Sequence, residues 1–492
     1  MKTLSKIFAL LMLALAGAAS FTGCIEDGFT NSPSDQPAFS TDTLKMGVIF
    51  TDEPSPTSRF TVHNPHGKSL SISDISLSGE YASCFRINVD GISGERFSDV
   101  EIRGKDSIYV FVEATLPPNM QTKPLEINAD INFTTNGVTQ TVTLSAFGQN
   151  VERLRALTLT ADTRLTADIP YQIFDSLVVA PGATLTLEPG TTLCFHDKSM
   201  LIVRGRLIAE GTPEAPVTMA GDRTGNVVSD ISFDIMSRQW TGVFFTSTST
   251  GNRLSHTNIR NTVQGVAVSG EIPSSDAAQA RTSGAGEPQL YLYNCRLRNS
   301  GGLVLEAVHS SVKAVGCEFA EAAGGLVYLH GGSHIFNHCT FANYYLFAAL
   351  SGPAVSFAHI SADEKTGFDD GSGLPYLTAD FSNCIIYGNG SDISHGDLTG
   401  TGVFLRRCLL KSEGEDDDNF QMCIWGEDPL YYTIREEYIF DYRLKPESPA
   451  IGAADPTLTL PEASADAYGL SRGAYPDLGA YVYTAPAEED PE

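Results

Sequence analysis

The chain has 492 residues, and its 32 Lys and Arg against 59 Asp and Glu leave a net charge of −27. A field of that sign repels nucleic acid and anionic lipid surfaces, which sets both aside as partners. The apolar fraction of 42% is enough over this length for two or more cores, and short β-rich runs bounded by Gly, Pro, Asn and Asp make the class all-β. The acidity reads as solubility, with Ca²⁺ or cationic partners as the alternative.

Residues 1–23 read as an export signal. Lys2 and Lys6 flank the start of an apolar run over 7–16 that is too short to span a bilayer. The run leads into Phe21-Thr22-Gly23-Cys24. That string resembles a bacterial lipobox, which implies a lipoprotein signal peptide cleaved before Cys24 and acylation (palmitate-type) of that residue. Ordinary cleavage near Ala18 or Ala19, leaving Cys24 free, is the alternative. Glu26-Asp27 resembles the surface-export tag of some Gram-negative lipoproteins. It points to the outer membrane, with the surface and periplasmic sides both open. The lipid is then the expected membrane anchor.

Residues 24–40, with Asn31-Ser-Pro-Ser-Asp-Gln-Pro37, read as a polar tether. Over 41–150 apolar and polar residues alternate in Phe60-Thr-Val-His63, Leu70–Ile75, Ser107–Glu113, Ile127–Phe133 and Gln140–Ala146, with an Asn136-Gly137 turn. This predicts an antiparallel β-sandwich. Asn64-Pro65 after an early strand and Ala146-Phe-Gly-Gln-Asn150 after the last resemble immunoglobulin-like modules of exported bacterial proteins. The resemblance implies a spacer or interaction module.

From about 160 to 455 the strands shorten to three to five residues. Ser176-Leu-Val-Val-Ala-Pro-Gly182 and Leu201-Ile-Val-Arg-Gly205 place Pro-Gly or Gly at each bend, and Gly190 and Gly211 mark further bends. Residues 271–288 read as an inserted loop. Cys295, Cys317, Cys339, Cys384 and Cys408 then recur in one pattern, with steps of 22, 22, 45 and 24 residues. The layout resembles the right-handed parallel β-helix of many exported bacterial proteins. The 45-residue step predicts a missing repeat, with Ala358 at the Cys position as Thr257 is earlier. In-register neighbours lie about 4.8 Å apart, beyond the usual disulfide reach of about 4.5 Å between Cβ atoms. A ladder of free, inward thiols is therefore expected. Residues 456–492 read as a C-terminal cap and acidic tail, because a solenoid's last coil exposes an unpaired edge.

β-Helix proteins include pectate lyases and polygalacturonases, whose chemistry needs converging carboxylates or acidic Ca²⁺ ligands beside a base. Asp369-Asp370 is an adjacent acid pair in a Gly-rich loop, read as a solvated turn. His395-Gly396-Asp397 is a partial echo of a polygalacturonase site. Glu413-Gly-Glu-Asp-Asp-Asp418 has Ca²⁺-type oxygens without the spacing of a calcium loop. Arg406-Arg407 reads as an outward structural pair, and Asp466, Arg472 and Asp477 as a structural salt-bridge network. His330, His334 and His338 straddle a turn, where four-residue spacing aligns nothing. The expectation is a lipid-anchored, non-catalytic envelope protein without cofactor or metal, binding or displaying towards glycan or protein on a β-helix rod. The competing reading is a polysaccharide lyase or glycoside hydrolase with a flank site.

Overall fold

The computed structural model describes residues 28–228, 231–270, 286–358, 376–398 and 401–485. The chain divides into two compact units, Met1–Asn150 and Val151–Glu492. Among the described residues no helix is long and apolar enough to cross a membrane.

The first unit holds a five-stranded and a six-stranded sheet. Alternation decides which side chains meet. Ile127, Ala129, Ile131 and Phe133 of Leu125–Thr135 all point into the core. There they join Val142 and Leu144 of the same sheet and Phe60, Val62, Val110 and Val112 of the other. Asn136 and Gly137 both have positive φ, 51° and 80°, as the tight hairpin that sets Thr135 opposite Val138 requires. Two expectations are corrected. Thr43–Phe50 pairs with Val138–Gln149 in parallel, not antiparallel. The tether does not extend to residue 40, because the chain is bound from its first described residues. Thr30 N–H donates to Ser69 O at 3.0 Å, Asn136 Nδ2 donates to Ser32 O and Asp35 O at 3.0 Å each, and Ala38 pairs with His63.

The second unit is built on one 26-stranded parallel sheet running from Glu152–Leu159 to Ile424–Trp425. It begins ahead of residue 160 and its last strand ends well before 455. Each repeat sets its residues on those of the repeat before. Leu292 lies on Leu254, Ala314 on Leu292, Phe336 on Ala314 and Phe381 on Phe336. One continuous core results, from Leu165 to Phe420. Phe336 and Phe381 stack with centroids 4.6 Å apart and Phe319 and Phe341 at 5.1 Å. Truncating one such ring to Ala would cost about 3–5 kcal/mol.

The cysteines sit just past a repeated bend. The preceding residue is left-handed each time, with φ of 52° at Asn294, 65° at Gly316, 51° at His338, 58° at Asn383 and 53° at Arg407. Asn and Gly tolerate that conformation best. The thiols are buried and unbridged, and they do more than fill space. Cys295 Sγ donates to Leu254 O at 3.2 Å, Cys384 Sγ to Phe336 O at 3.4 Å and Cys408 Sγ to Phe381 O at 3.3 Å. Burial pushes Cys295 and Cys384 well above the ordinary thiol value.

The missing repeat between Cys339 and Cys384 does not exist. Thr340 lies opposite Ile385, and Cys339 N–H reaches Cys384 Sγ at 3.4 Å, so the two repeats are adjacent. The extra length is insertion. Val355–Phe357 pairs with Val327–Leu329, which places Ala358 beside His330 rather than in the Cys column, and 346–350 forms no strand. Insertions at bends cost only loop-closure entropy and leave the register intact.

The C-terminal segment runs back along the outer face of the sheet rather than forming only an end cap. Tyr431, Tyr442, Leu444, Leu478 and Tyr481 pack on Ala320, Ala342, Ile385 and Leu409. At the last strands Asp416 accepts from Met422 N–H at 2.6 Å, Cys423 N–H at 3.1 Å and Trp425 Nε1–H at 3.1 Å.

Candidate functional site

Cys24, Asp369 and Asp370 lie outside the described residues, as does 271–285 of the inserted loop. The other sequence candidates fall into structural roles. Asp417 in the acidic loop accepts from Asn419 and Phe420 N–H at 2.7 Å each, so it and Asp416 already serve backbone amides. Arg406 Nη1 pairs with Asp380 at 2.8 Å. His395 Nδ1 bonds the Gly396 carbonyl at 2.8 Å.

Asp466, Arg472 and Asp477 do not bond one another as a salt-bridge network would. All three are buried, and each fastens backbone. Asp466 accepts from Tyr468, Leu470 and Val482 N–H, Asp477 accepts from Gly452 and Tyr483 N–H, and Arg472 Nη2 donates to Ala480 O. Burial pushes Arg472 down to about 10.

A left-handed bend at Gly331 and Gly332 separates His330 from His334, and His338 sits at the next bend, so their four-residue spacing does not bring the three together. Their surroundings differ. His338 is buried, its Nδ1–H donating to Asp477 O at 3.1 Å while Asn383 Nδ2 donates towards Nε2 at 3.3 Å. His334 Nε2 bonds Gly331 O at 3.0 Å. His330 instead faces His309, with ring centroids 5.1 Å apart, and Tyr376 joins them.

Two clusters escaped the sequence reading. Glu318 and Glu321 lie 1% exposed on one strand. Tyr481 O–H donates to Glu318 and Tyr442 O–H to Glu321, and Arg298 Nη2 is 2.5 Å from Glu318. Burial, the largest influence, pushes Glu321 up to about 7. Two carboxylates with one held neutral suit acid–base work in an open cleft, but here the C-terminal segment covers both. Cys194, His196 and Asp222 also combine nucleophile, base and orienting types, with His196 Nδ1 2.8 Å from Asp222. Burial, then the Asp222 charge, pushes Cys194 up to about 12. This thiol is the reverse of an activated nucleophile.

An open arrangement lies on the five-stranded sheet of the first unit. The exposed face of Ser107–Ala114 carries Tyr109, which is 46% exposed, and Phe111, with rings 6.0 Å apart. The Arg59 guanidinium lies 5.3 Å over the Tyr109 ring. Phe111 also lines a groove of about 1330 Å³, together with Arg86, Asn88, Ser93 and Glu113. The register explains the grouping, since Phe111 pairs with both Arg59 and Asn88, and Glu113 with Arg86. Period-two alternation of Ser107–Ala114 was the sequence signal, and it left these aromatics on the face turned from the core.

No known family profile matches the chain, and no curated protein does. Among solved structures it is similar to a family 123 glycoside hydrolase from Clostridium perfringens, at 14% identity and TM-score 0.17 over 23% of this chain and 25% of that one. It is also similar to PapD-like domain 7 of human CEP192, at 15% identity and TM-score 0.18 over 25% and 92%. A third likeness is to a protein of unknown function from Porphyromonas gingivalis W83, at 10% identity and TM-score 0.16 over 26% and 60%. The chain thus spans a quarter of the length of that hydrolase. Likenesses this slight carry no argument about activity.

Proposed function

We propose that this is a lipid-anchored protein of the bacterial outer membrane that binds glycans without turning them over. In this reading residues 1–23 are removed, Cys24 carries the lipid, the first unit is immunoglobulin-like, and the 26-stranded sheet closes as a right-handed parallel β-helix. The observation that carries the binding assignment is the Arg59–Tyr109–Phe111 face beside the groove. Flat aromatic faces take the apolar faces of sugar rings. Neighbouring Asn, Ser, Glu and Arg side chains supply hydroxyl partners of both kinds. The groove's volume of about 1330 Å³ exceeds that of a typical small-molecule pocket, which suits an oligosaccharide. Binding therefore belongs to the first unit in this reading.

A glycan array probed with the full chain tests the assignment. Hits should lose affinity at least about tenfold in Phe111→Ala and Tyr109→Ala, the scale of one or two stacking contacts. Unchanged binding in both variants refutes the site.

A further inference from the structure

Two imidazoles and a phenol meet on the outside of the 26-stranded sheet, and this grouping has no part in the binding face described above. His309 and His330 come from adjacent repeats, since Val308 pairs with His330. Their ring centroids are 5.1 Å apart at an interplanar angle of 45°. The Tyr376 hydroxyl lies 2.6 Å from His309 Nδ1 and 3.3 Å from Nε2, and its ring lies 5.9 Å from that of His330. All three are half-buried.

The backbone is shaped to seat them. His309 has φ of 51°, and Gly331 and Gly332 have φ of 66° and 91°. A Cβ on Gly331 would stand 2.6 Å from Cζ of Tyr376. The glycine therefore gives the phenol its path back over the bend to His309.

We propose that His309, His330 and Tyr376 form a binding site for a borderline first-row divalent cation such as Zn²⁺ or Cu²⁺. Imidazole nitrogens bind such an ion at about 2.0–2.1 Å. Ring centres then lie roughly 3.2 Å from it, and two of them at a tetrahedral angle are roughly 5.2 Å apart, close to the separation found. The Tyr376 phenolic oxygen, 2.6 Å from His309 Nδ1, supplies the third ligand. Nitrogen and phenolic oxygen without thiolate select Cu²⁺ or Zn²⁺ over Ca²⁺ and Mg²⁺. On binding, the Tyr376 hydroxyl proton leaves to solvent and both imidazoles bind as neutral ligands, so uptake weakens as the pH falls. The chain's net charge of −27 adds a general attraction for a dication.

Titrating ZnCl₂ and CuCl₂ separately into the metal-free, untagged full chain by calorimetry tests this. One equivalent should bind. His309→Ala and His330→Ala should each weaken it by at least roughly a hundredfold, and Tyr376→Phe should lower affinity and reduce the protons released per ion. The Cu²⁺ form should also show a phenolate charge-transfer band that Tyr376→Phe abolishes. Should an alanine variant fail to fold, Tyr376→Phe removes a single oxygen and keeps the ring packed. No stoichiometric binding, or binding unchanged in the folded variants, overturns the site and leaves a hydrogen-bonded aromatic cluster.

Discussion

Glu321 gives the sharpest test of how the C-terminal segment is held. Its carboxyl accepts from Tyr442 O–H and from Tyr344 N–H, the latter at 2.8 Å, while burial pushes it from the ordinary 4.5 up to about 7. The folded chain thus binds this proton more tightly than the unfolded chain does. The stabilisation is complete below about pH 4.5 and is lost as the pH rises to about 7. At about 1.36 kcal/mol for each tenfold difference in proton affinity, the loss across that window is roughly 3 kcal/mol. Glu321→Gln keeps Oε1 as the acceptor for both donors and removes the charge. The assay is urea unfolding of both proteins from pH 4.5 to 8, read alongside hydrogen exchange of peptides from 431–485. The variant should lose the downward limb and should be the more stable protein above pH 7. Parallel pH curves for the two proteins would show that Glu321 carries no such linkage.

Other outcomes follow from the same geometry. His338 is held well below its ordinary 6.5 by burial first and the Arg472 charge second. Its stabilisation is therefore present above about pH 6.5 and lost as the pH falls. His338→Asn, which suits the left-handed bend, should remove an acid slope of up to about 1.4 kcal/mol per pH unit, and an unchanged slope in urea titrations counts against this. Cys295, Cys317, Cys339, Cys384 and Cys408 should resist alkylation in the native chain, and mass analysis without reduction should find no bridges among them. Ready labelling or an intact disulfide would contradict the buried ladder. Cys24→Ala should release the protein from membranes on fractionation, whereas continued retention refutes the lipid anchor.

Much of the fold was legible because its signals are local. Alternation exposed the strands around Phe133 and Leu144, Asn136-Gly137 marked its hairpin, and the 22-residue Cys step gave the repeat. The residue type before each Cys carried a further signal, since Asn294, Gly316 and Asn383 are those that accept a left-handed bend. Period alone misled at the 45-residue step, because two repeats and one repeat with insertions have the same length. Only the pairing of Thr340 with Ile385 separates them. The fold-back of the C-terminal segment was hidden because the residues it packs on, Ala320, Ala342, Ile385 and Leu409, are spread over several repeats. The His309–His330 meeting was hidden for a related reason. A reading along the chain compares His330 with His334 and His338, whereas its neighbour lies one repeat away.

Function was less legible, because a binding face has no fixed spacing. Tyr109 and Phe111 form one only through the register that brings Arg59 and Asn88 beside them. The most direct test of binding without turnover is to incubate the full chain with a panel of acidic and neutral polysaccharides, measuring retention and released ends in the same samples. At least one polysaccharide should be retained, with no new reducing or unsaturated ends and with retention lost in Phe111→Ala. Catalytic release of such ends would contradict binding without turnover.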